Sequence, residues 1–318
     1  MFRLIKLVVI LAVGGAGGWI AREYLGPQEW SQWITQFVKQ RAGESVSRDD
    51  AIKVASWNLR PLGPEKLSAQ TVVSRLAETI RQFDVIALQG IRSAQQDAMP
   101  RLVAAVNATG AKYDFVIGPR VGTQGDQEQF AFVYNTARIE VDRARVFTVA
   151  DPGNRLHREP LTALFRVRGP AEREAFTFML VNADTHPAAV GTEQAALADV
   201  FRAVRSSDIG EDDVIMLGSF NTPPANFGSL AEIPQLNWVT SGAPTTVAQD
   251  AELENILFHS AATREFTGRG GVLDLEAQFQ IEREEALQLG DRLPVWAEFS
   301  VFEGGRVGYV AGGTRSAR

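Results

Sequence analysis

The chain has 318 residues, of which 45% are hydrophobic and 22% are charged, and its formal net charge is -6. This much apolar material is enough for a large core, and the acidic balance disfavours a general nucleic-acid binder, which is usually basic. The lack of cysteine excludes disulfides, thiolate catalysis and cysteine-bound metal sites. Only three histidines are present, which also disfavours a histidine-rich metal centre.

Residues 1–24 have the composition of a membrane segment. Residues 4–20 are almost wholly apolar and are interrupted only by Lys6. Arg3, Lys6 and the amino terminus precede the main apolar run, and this cationic flank predicts a cytoplasmic N-terminus with the rest of the chain on the extracytoplasmic side. We expect an uncleaved signal anchor that forms a transmembrane helix. The alternatives are a cleaved signal peptide, which would make the protein secreted, and a buried hydrophobic helix.

Residues 25–50 predict an amphipathic helix followed by a linker. Apolar side chains recur with helical spacing and form one stripe, made of Trp30, Trp33, Ile34, Phe37 and Val38. Such a stripe suits a helix at a membrane interface, and it equally suits a helix that docks on the following domain. Residues 41–50 are polar and predict the linker.

Residues 51–302 predict one α+β domain. Short apolar or alternating segments, typical of strands, occur at 52–59, 84–89, 113–118, 129–135, 139–147, 161–167, 176–183, 213–220, 254–258 and 294–302. Amphipathic stretches at 68–83, 98–110 and 193–207 predict helices between some of them. Such a mixture favours sheets packed face to face with helices outside, and residues 303–318 are expected to form a flexible C-terminal tail.

Several motifs in this domain carry a resemblance. Residues 54–93 are similar to the start of deoxyribonuclease I-like domains, where strands ending in asparagine and in Leu-Gln-Glu bracket a helix. Further landmarks follow in the family's order, namely Glu128-Gln129-Phe130, Arg158-Glu159-Pro160, Gly218-Ser219-Phe220-Asn221, Glu254-Asn255-Ile256-Leu257-Phe258 and Gly290-Asp291-Arg292-Leu293-Pro294-Val295. From residue 53 to residue 299 the chain therefore resembles the endonuclease/exonuclease/phosphatase superfamily.

The resemblance implies a four-layer αββα sandwich with an active site at one end of two packed sheets. In this superfamily a carboxylate-held Mg²⁺ polarises the phosphoryl oxygens, and histidines paired with carboxylates handle the protons of hydrolysis. Mg²⁺ would then be the expected cofactor, and a phosphodiester or phosphomonoester the expected substrate.

The residues at the essential positions depart from this pattern. Gly90 stands in place of the metal-binding glutamate, Ser219 in place of an aspartate and Arg292 in place of a histidine. At the other histidine position the order is exchanged, so that Asp184 stands there and His186 follows two residues later. An arginine does not release its proton near neutrality, and glycine offers no ligand atom. We therefore expect a catalytically degenerate site.

Other family positions are retained or nearly retained. They are Asn58, Glu128, Arg158, Asn221 and Asp291, with Glu254 one methylene longer than the family's aspartate. Asn58 and Asn221 could simply hydrogen-bond loops at strand ends, and Glu128 with Arg158 could be a structural ion pair. His157 and His259 are expected to be surface or packing residues.

Two functions compete. The first is a membrane-tethered binding or scaffolding domain that has lost phosphodiesterase activity, holds no cofactor, and binds a protein or an anionic ligand of unknown identity, with nucleic acid disfavoured. The second is an active nuclease or phosphatase with a rebuilt Mg²⁺ site, whose ligands would come from Asp184, Asp291, Glu128 and Glu254, with His186 as the displaced histidine. Asn58 and Asp291 are the first residues to consider for any metal.

Two structural expectations follow from the replacements. Asp184 and Arg292 take the positions of the two histidines, which lie close together in the family, so they are expected to form a salt bridge that fills the pocket. A carboxylate restored by Gly90→Glu is expected to improve Mg²⁺ binding without restoring hydrolysis.

Overall fold

The computed structural model describes residues 50–207 and 209–305. The predicted transmembrane segment, the amphipathic helix and the tail beyond residue 305 lie outside the described residues. Within the described ranges, no helix combines the length and the apolar character needed to cross a bilayer.

The described chain alternates between strands and helices. The strands are β1 (Ala51–Leu62), β2 (Val85–Ile91), β3 (Tyr113–Ile117), β4 (Gln129–Asn135), β5 (Ile139–Thr148), β6 (Leu161–Val167), β7 (Thr177–Asp184), β8 (Val214–Ser219), β9 (Leu236–Trp238), β10 (Glu254–His259), β11 (Phe266–Val272) and β12 (Val295–Ser300). The helices are α1 (Pro64–Ser68), α2 (Gln70–Ile80), α3 (Ala98–Asn107), α4 (Val190–Arg205), α5 (Leu275–Phe279) and α6 (Arg283–Leu289). Short 3₁₀ turns occur at Pro224–Asn226, Gly228–Leu230 and Glu303–Gly305.

The strands form two six-stranded sheets. The first has the order β11-β12-β1-β2-β4-β3 and the second has the order β5-β6-β7-β8-β10-β9. In each sheet one central pair is parallel, β1 with β2 and β7 with β8, and the other pairs are antiparallel. These central strands are covered on both faces, which explains their nearly continuous apolar sequences.

The two sheets pack face to face around an aromatic core. Phe132 on β4 contacts Phe165 on β6 edge to face, with ring centroids 5.5 Å apart, and Phe258 on β10 contacts Phe299 on β12 at 5.8 Å. Helices α1, α2, α3 and α6 bury their apolar sides on the outer face of the first sheet, and α4 does so on the second. This mixed α/β arrangement of two packed sheets confirms the predicted αββα sandwich.

Some elements differ from the sequence prediction. Helix α2 starts at Gln70 rather than at residue 68, because Ala69 is extended and separates α1 from α2. Strands β9 and β11 were not predicted: β9 has only 3 residues, and β11 contains several glycines and a partly exposed run of residues. Both lie at sheet edges, where burial imposes little pattern on the sequence.

Strand register brings the candidate residues to one end of the sandwich. Asn58 pairs with Gln89 across the parallel β1–β2 ladder, one residue before Gly90. In the second sheet, Ser219 is the register partner of both Asp184 on β7 and Glu254 on β10. The carboxyl ends of parallel strands meet at the same sheet edge, so these residues share one cleft.

Candidate active site

A buried hydrogen-bond chain links the two sheets at the base of the cleft. The Nδ2 of Asn58 donates to the Oγ of Ser219 at 2.9 Å, and that hydroxyl donates to the carboxylate of Glu254, whose two oxygens are each 2.8 Å away. A hydroxyl can accept one hydrogen bond while donating another, so Ser219 satisfies both neighbours. Ser219 therefore links the strand ends by hydrogen bonds at the position where the family has an aspartate.

Arg292 points into the cleft and lies against Glu254. Its Nε is 3.5 Å from Glu254 Oε1 and 3.8 Å from Asp291 Oδ2, and its Nη2 donates to Asn221 Oδ1 at 3.3 Å. Its side chain is 17% exposed, whereas that of Asp291 is 61% exposed. Burial raises the pKa of Glu254 to about 7, against the opposing effect of the Arg292 charge. Arg292 thus compensates the carboxylate that lies deepest in this half of the cleft.

A second guanidinium fills the other half of the cleft. Arg158 has a fully buried side chain, with Nε 3.4 Å from Glu128 Oε1 and Nη1 3.4 Å from Asp184 Oδ2. Burial and the neighbouring Glu128 carboxylate raise the pKa of Asp184, while the charge of Arg158 opposes them. Asp184 thus stands, between a buried cation and a second carboxylate, where the resemblance implies a histidine.

The predicted salt bridge between Asp184 and Arg292 is wrong. Among the described residues no ion pair joins the two, and Asn221 lies between them. Its Nδ2 is 3.4 Å from Asp184 Oδ1, while its Oδ1 accepts from Arg292. Asp184 pairs instead with Arg158, because Arg158 reaches it through the buried interior while Glu254 holds Arg292.

Asp126 is the centre of a cationic cluster that the sequence did not reveal. Its carboxylate accepts hydrogen bonds from Arg92 and Arg158, lies 3.2 Å from Arg60 Nη2, and is 3.2 Å from the Nε2 of His157. Burial acts to raise the pKa of Asp126, but the hydrogen bond from Arg92 and the charges of Arg158 and Arg60 hold it at about 2. Asp126 lies in the loop before β4, outside every recognised motif, so no sequence signal identified it.

His157 and His186 lie beside this cluster. Their ring centroids are 4.5 Å apart. The backbone N–H of His157 donates to Glu193 Oε1 at 2.9 Å, and that of His186 donates to Glu193 Oε2 at 2.8 Å. The buried Glu193 of α4 thereby holds both loops. His157 was expected to be a surface or packing residue, yet its ring contacts Asp126 and His186. The one sequence signal for a place at the cleft was its position next to Arg158.

Gly90 cannot carry a side chain in this backbone. Its φ is +75°, and a Cβ built on it would lie 2.6 Å from both the backbone N and the Cα of Arg60. The Oδ1 of Asn58 accepts from the Arg60 backbone N–H at 3.1 Å and so holds this segment close. The structure therefore argues against the expectation that Gly90→Glu would improve metal binding, because a Cβ at this position would overlap backbone atoms of Arg60.

Comparison with known proteins identifies the family. The sequence model of the Endonuclease/Exonuclease/phosphatase family matches residues 55–274 of this chain. The chain therefore belongs to this family. Among its relatives, Deoxyribonuclease-1-like 1 of Chlorocebus aethiops is 27% identical over 268 residues, covering 80% of this chain and 87% of the relative. Deoxyribonuclease-1 of Gallus gallus is 24% identical over 264 residues, covering 77% and 90%. The domain is thus deoxyribonuclease I-like.

Solved structures support the same fold. The human Nocturnin catalytic domain with bound sulfate anion has a TM-score of 0.53 at 15% identity, and the match covers 79% of this chain and 94% of that one. The endonuclease/exonuclease/phosphatase from Bacteroides vulgatus has a TM-score of 0.55 at 16% identity, covering 79% and 99%. At this identity the likeness concerns the fold alone.

The divalent cation that the family implies does not fit the side chains at the family's own metal positions. Asp126, His157 and His186 are a separate group whose ligand atoms lie within 4.8 Å of one another. Glu128 and Asp184 both contact Arg158, Glu254 contacts Arg292, and position 90 has neither a ligand atom nor room for one. Asn58 uses its amide group on Ser219 and the Arg60 backbone. Mg²⁺ requires oxygen ligands in near-octahedral geometry at about 2.0–2.1 Å, and fixed cations beside the same carboxylates oppose a second positive charge.

Proposed function

We propose that this protein is a deoxyribonuclease I-like domain that has lost metal-dependent phosphodiester hydrolysis and serves a binding or scaffolding role on a membrane. The observation that carries the proposal is the guanidinium group of Arg292, which stands at a histidine position of the family and contacts the buried Glu254 carboxylate. The other histidine position holds Asp184, which pairs with the retained Arg158.

The chemistry of hydrolysis needs groups that these positions lack. A general acid–base residue typically contributes about 10²–10⁴ in rate, and the two family histidine positions hold Asp184 and Arg292. Asp184 is buried between Arg158 and Asn221, and a guanidinium cannot act as a base near neutrality. There is also no room for a side chain at Gly90. Together these features favour a protein that binds a ligand or partner and does not hydrolyse phosphodiesters.

The ligand is proposed from charge and exposure. Arg60 and Arg92 have side chains about 30% and 29% exposed at the cleft mouth, where both also contact Asp126 and Glu128. A partner protein or a small anionic ligand could replace part of these contacts, since guanidinium groups bind carboxylates and phosphates bidentately. The overall acidic charge disfavours long nucleic acid as the partner.

The membrane attachment is proposed from the sequence alone. The apolar residues 4–20 and their cationic flank favour a signal anchor with the folded domain on the extracytoplasmic side. Cleavage within the glycine-rich part of this segment would instead release the domain as a secreted protein.

An active enzyme with a rearranged site is the second candidate. It is favoured by the His157–His186 pair next to Asp126, and by relatives named as deoxyribonucleases. Its metal would draw on Asp184, Asp291, Glu128 and Glu254, so Arg292 would have to move away from Glu254 and Asp291.

A hydrolysis assay on the full-length chain separates the two candidates. Supercoiled plasmid and a chromogenic phosphodiester are incubated with the protein and millimolar Mg²⁺, Mn²⁺ or Ca²⁺. We expect no turnover above background with any cation. Metal-dependent turnover that Asn58→Ala or Asn221→Ala reduces would contradict the proposal, because a contaminating nuclease would not respond to substitutions in this chain.

A further inference from the structure

A second group of carboxylates lies far from the cleft. Asp213 immediately precedes β8, Glu265 immediately precedes β11, and Glu303 begins the last described 3₁₀ turn. Strand β8 runs from Val214 to Ser219, so at ~3.3 Å per residue Asp213 is roughly 20 Å from the cleft. This acidic cluster, defined as Asp213, Glu265 and Glu303, is therefore separate from the site described above.

The acidic cluster is buried and incompletely hydrogen-bonded. Asp213, Glu265 and Glu303 are 2%, 1% and 8% exposed. One carboxylate oxygen from each lies within 4.8 Å of the others. Glu265 Oε1 accepts from the backbone N–H of Gly304, and Glu303 Oε2 accepts from that of Thr177 at 3.4 Å. Asp213 Oδ1 and Glu265 Oε2 are buried oxygens without a hydrogen-bond partner.

No positive side chain compensates the cluster in the described part of the chain. Within 4 Å, none of its carboxylates forms an ion pair with lysine, arginine or histidine there. Glu211 adds a further half-buried carboxylate, and its Oε1 accepts from the backbone N–H of Asp213 at 2.8 Å. Burial, followed by the charge of Glu265, raises the pKa of Asp213 to about 10. Isolated buried carboxylates are costly unless a proton or a cation neutralises them.

We propose that Asp213, Glu265 and Glu303 bind a calcium ion. Carboxylate and backbone oxygens are the ligands of hard divalent cations, and Ca²⁺ accepts 6–8 of them at about 2.3–2.6 Å in flexible geometry. Two ligand oxygens of one such ion are at most roughly 5 Å apart, and one oxygen from each of these three residues lies within 4.8 Å of the others. Mg²⁺ fits less well, because it keeps several waters and demands a regular octahedron.

The bound ion would join three segments that are remote in sequence. Asp213 belongs to the second sheet, whereas Glu265 leads into an edge strand of the first sheet. Glu303 lies on the turn after β12, and its backbone N–H donates to Glu174 O at 2.9 Å. Calcium would therefore stabilise the packing of the two sheets at the end opposite the cleft. This role is independent of whether the cleft is catalytic.

The test uses the full-length chain after treatment with a chelator. Calorimetric titration with CaCl₂ is expected to show one site, and Ca²⁺ at about 100 times its Kd is expected to raise the Tm by ~5–10 °C. Asp213→Asn and Glu303→Gln should each weaken Ca²⁺ binding at least tenfold. Asp291→Asn, in the cleft, is the matched control and should leave binding and the Tm shift unchanged.

Three results would overturn the proposal. They are the absence of a calcium-dependent Tm shift at millimolar CaCl₂, an equal shift with MgCl₂ at the same concentration, and a loss of calcium binding in Asp291→Asn that equals the loss in Asp213→Asn. If Asp213→Asn does not fold, Glu303→Gln decides by itself. Its residue lies at the edge of the cluster on a short turn, and unchanged Ca²⁺ affinity in that variant would contradict the assignment.

Discussion

The backbone of Arg60 occupies the space that a side chain at position 90 would need. A Cβ on Gly90 would lie 2.6 Å from both the N and the Cα of Arg60, and the φ of Gly90 is +75°. The backbone at position 90 therefore leaves no room for a side chain unless Arg60 moves. We propose that this arrangement opposes the return of the glutamate that the family resemblance implies here.

This close contact makes substitution at Gly90 costly. Gly90→Ala should reduce the free energy of unfolding by about 2–4 kcal/mol, since it combines left-handed backbone strain with overpacking. Gly110→Ala is the matched control, because Gly110 has φ +88° but nothing within 4 Å of its added Cβ, so it carries only the strain. Urea denaturation measures the free energy of unfolding of both variants. Equal losses at the two positions would show that the Arg60 contact is unimportant.

Removing Arg158 should destabilise the fold strongly. Its fully buried guanidinium lies against Glu128 and Asp184. Arg158→Ala leaves the buried Asp184 carboxylate without a cation, and leaves Glu128 with only the partly exposed Arg60 and Arg92. The expected loss is about 3–5 kcal/mol in the free energy of unfolding. Arg155→Ala serves as the control, because its pair with Asp199 is exposed and should contribute less than about 1 kcal/mol. A loss at Arg158 no larger than at Arg155 would argue against a buried charge network.

Asp126 should stabilise the protein in a pH-dependent way. Its pKa in the folded protein, about 2, lies below the ordinary aspartate value of 3.8, so its contribution to stability is present above pH 4 and is lost as the pH falls toward 2. Because the side chain is one-third exposed, the contribution at pH 7 is discounted to about 1–2 kcal/mol. Urea denaturation at pH 7, 5 and 3 measures the free energy of unfolding of the wild type and of Asp126→Asn. The difference between the two proteins should become smaller only between pH 5 and pH 3. A difference that is the same at all three pH values would contradict the lowered pKa of Asp126.

The orientation in the membrane is testable by protease access. With the N-terminus in the cytoplasm, the folded domain of a chain expressed in a bacterial host should be protected in intact cells and digested in spheroplasts. A cytoplasmic marker protein, protected in both, is the control. Protection of the domain in spheroplasts would place it on the cytoplasmic side.

The sequence predicts the sandwich because its central strands are buried on both faces and its motifs occur at strand ends. Asn58, Ser219 and Glu254 belong to motifs that carry the family resemblance, and the structure brings them into one hydrogen-bond chain. The partners of charged side chains were less predictable. Asp184 pairs with Arg158 instead of Arg292, since the choice depends on how deep each guanidinium reaches between the packed sheets.

Contacts between loops that carry no motif were beyond sequence analysis. Asp126 joins Arg60, Arg92, Arg158 and His157 only because the loop before β4 folds over the cleft. The acidic cluster likewise combines residues that are far apart in the chain. No feature of the sequence around each residue distinguishes it from an ordinary acidic side chain.

The most direct test of the closed cleft is a magnesium titration of the full-length chain, with wild type and Asp291→Asn compared by calorimetry. We predict no Mg²⁺ binding tighter than millimolar that depends on Asp291, because Arg158 and Arg292 compensate the neighbouring carboxylates and Gly90 supplies no ligand. Submillimolar Mg²⁺ binding that Asp291→Asn abolishes would contradict the proposed loss of the metal site. It would favour the second candidate, a metal-dependent phosphoesterase.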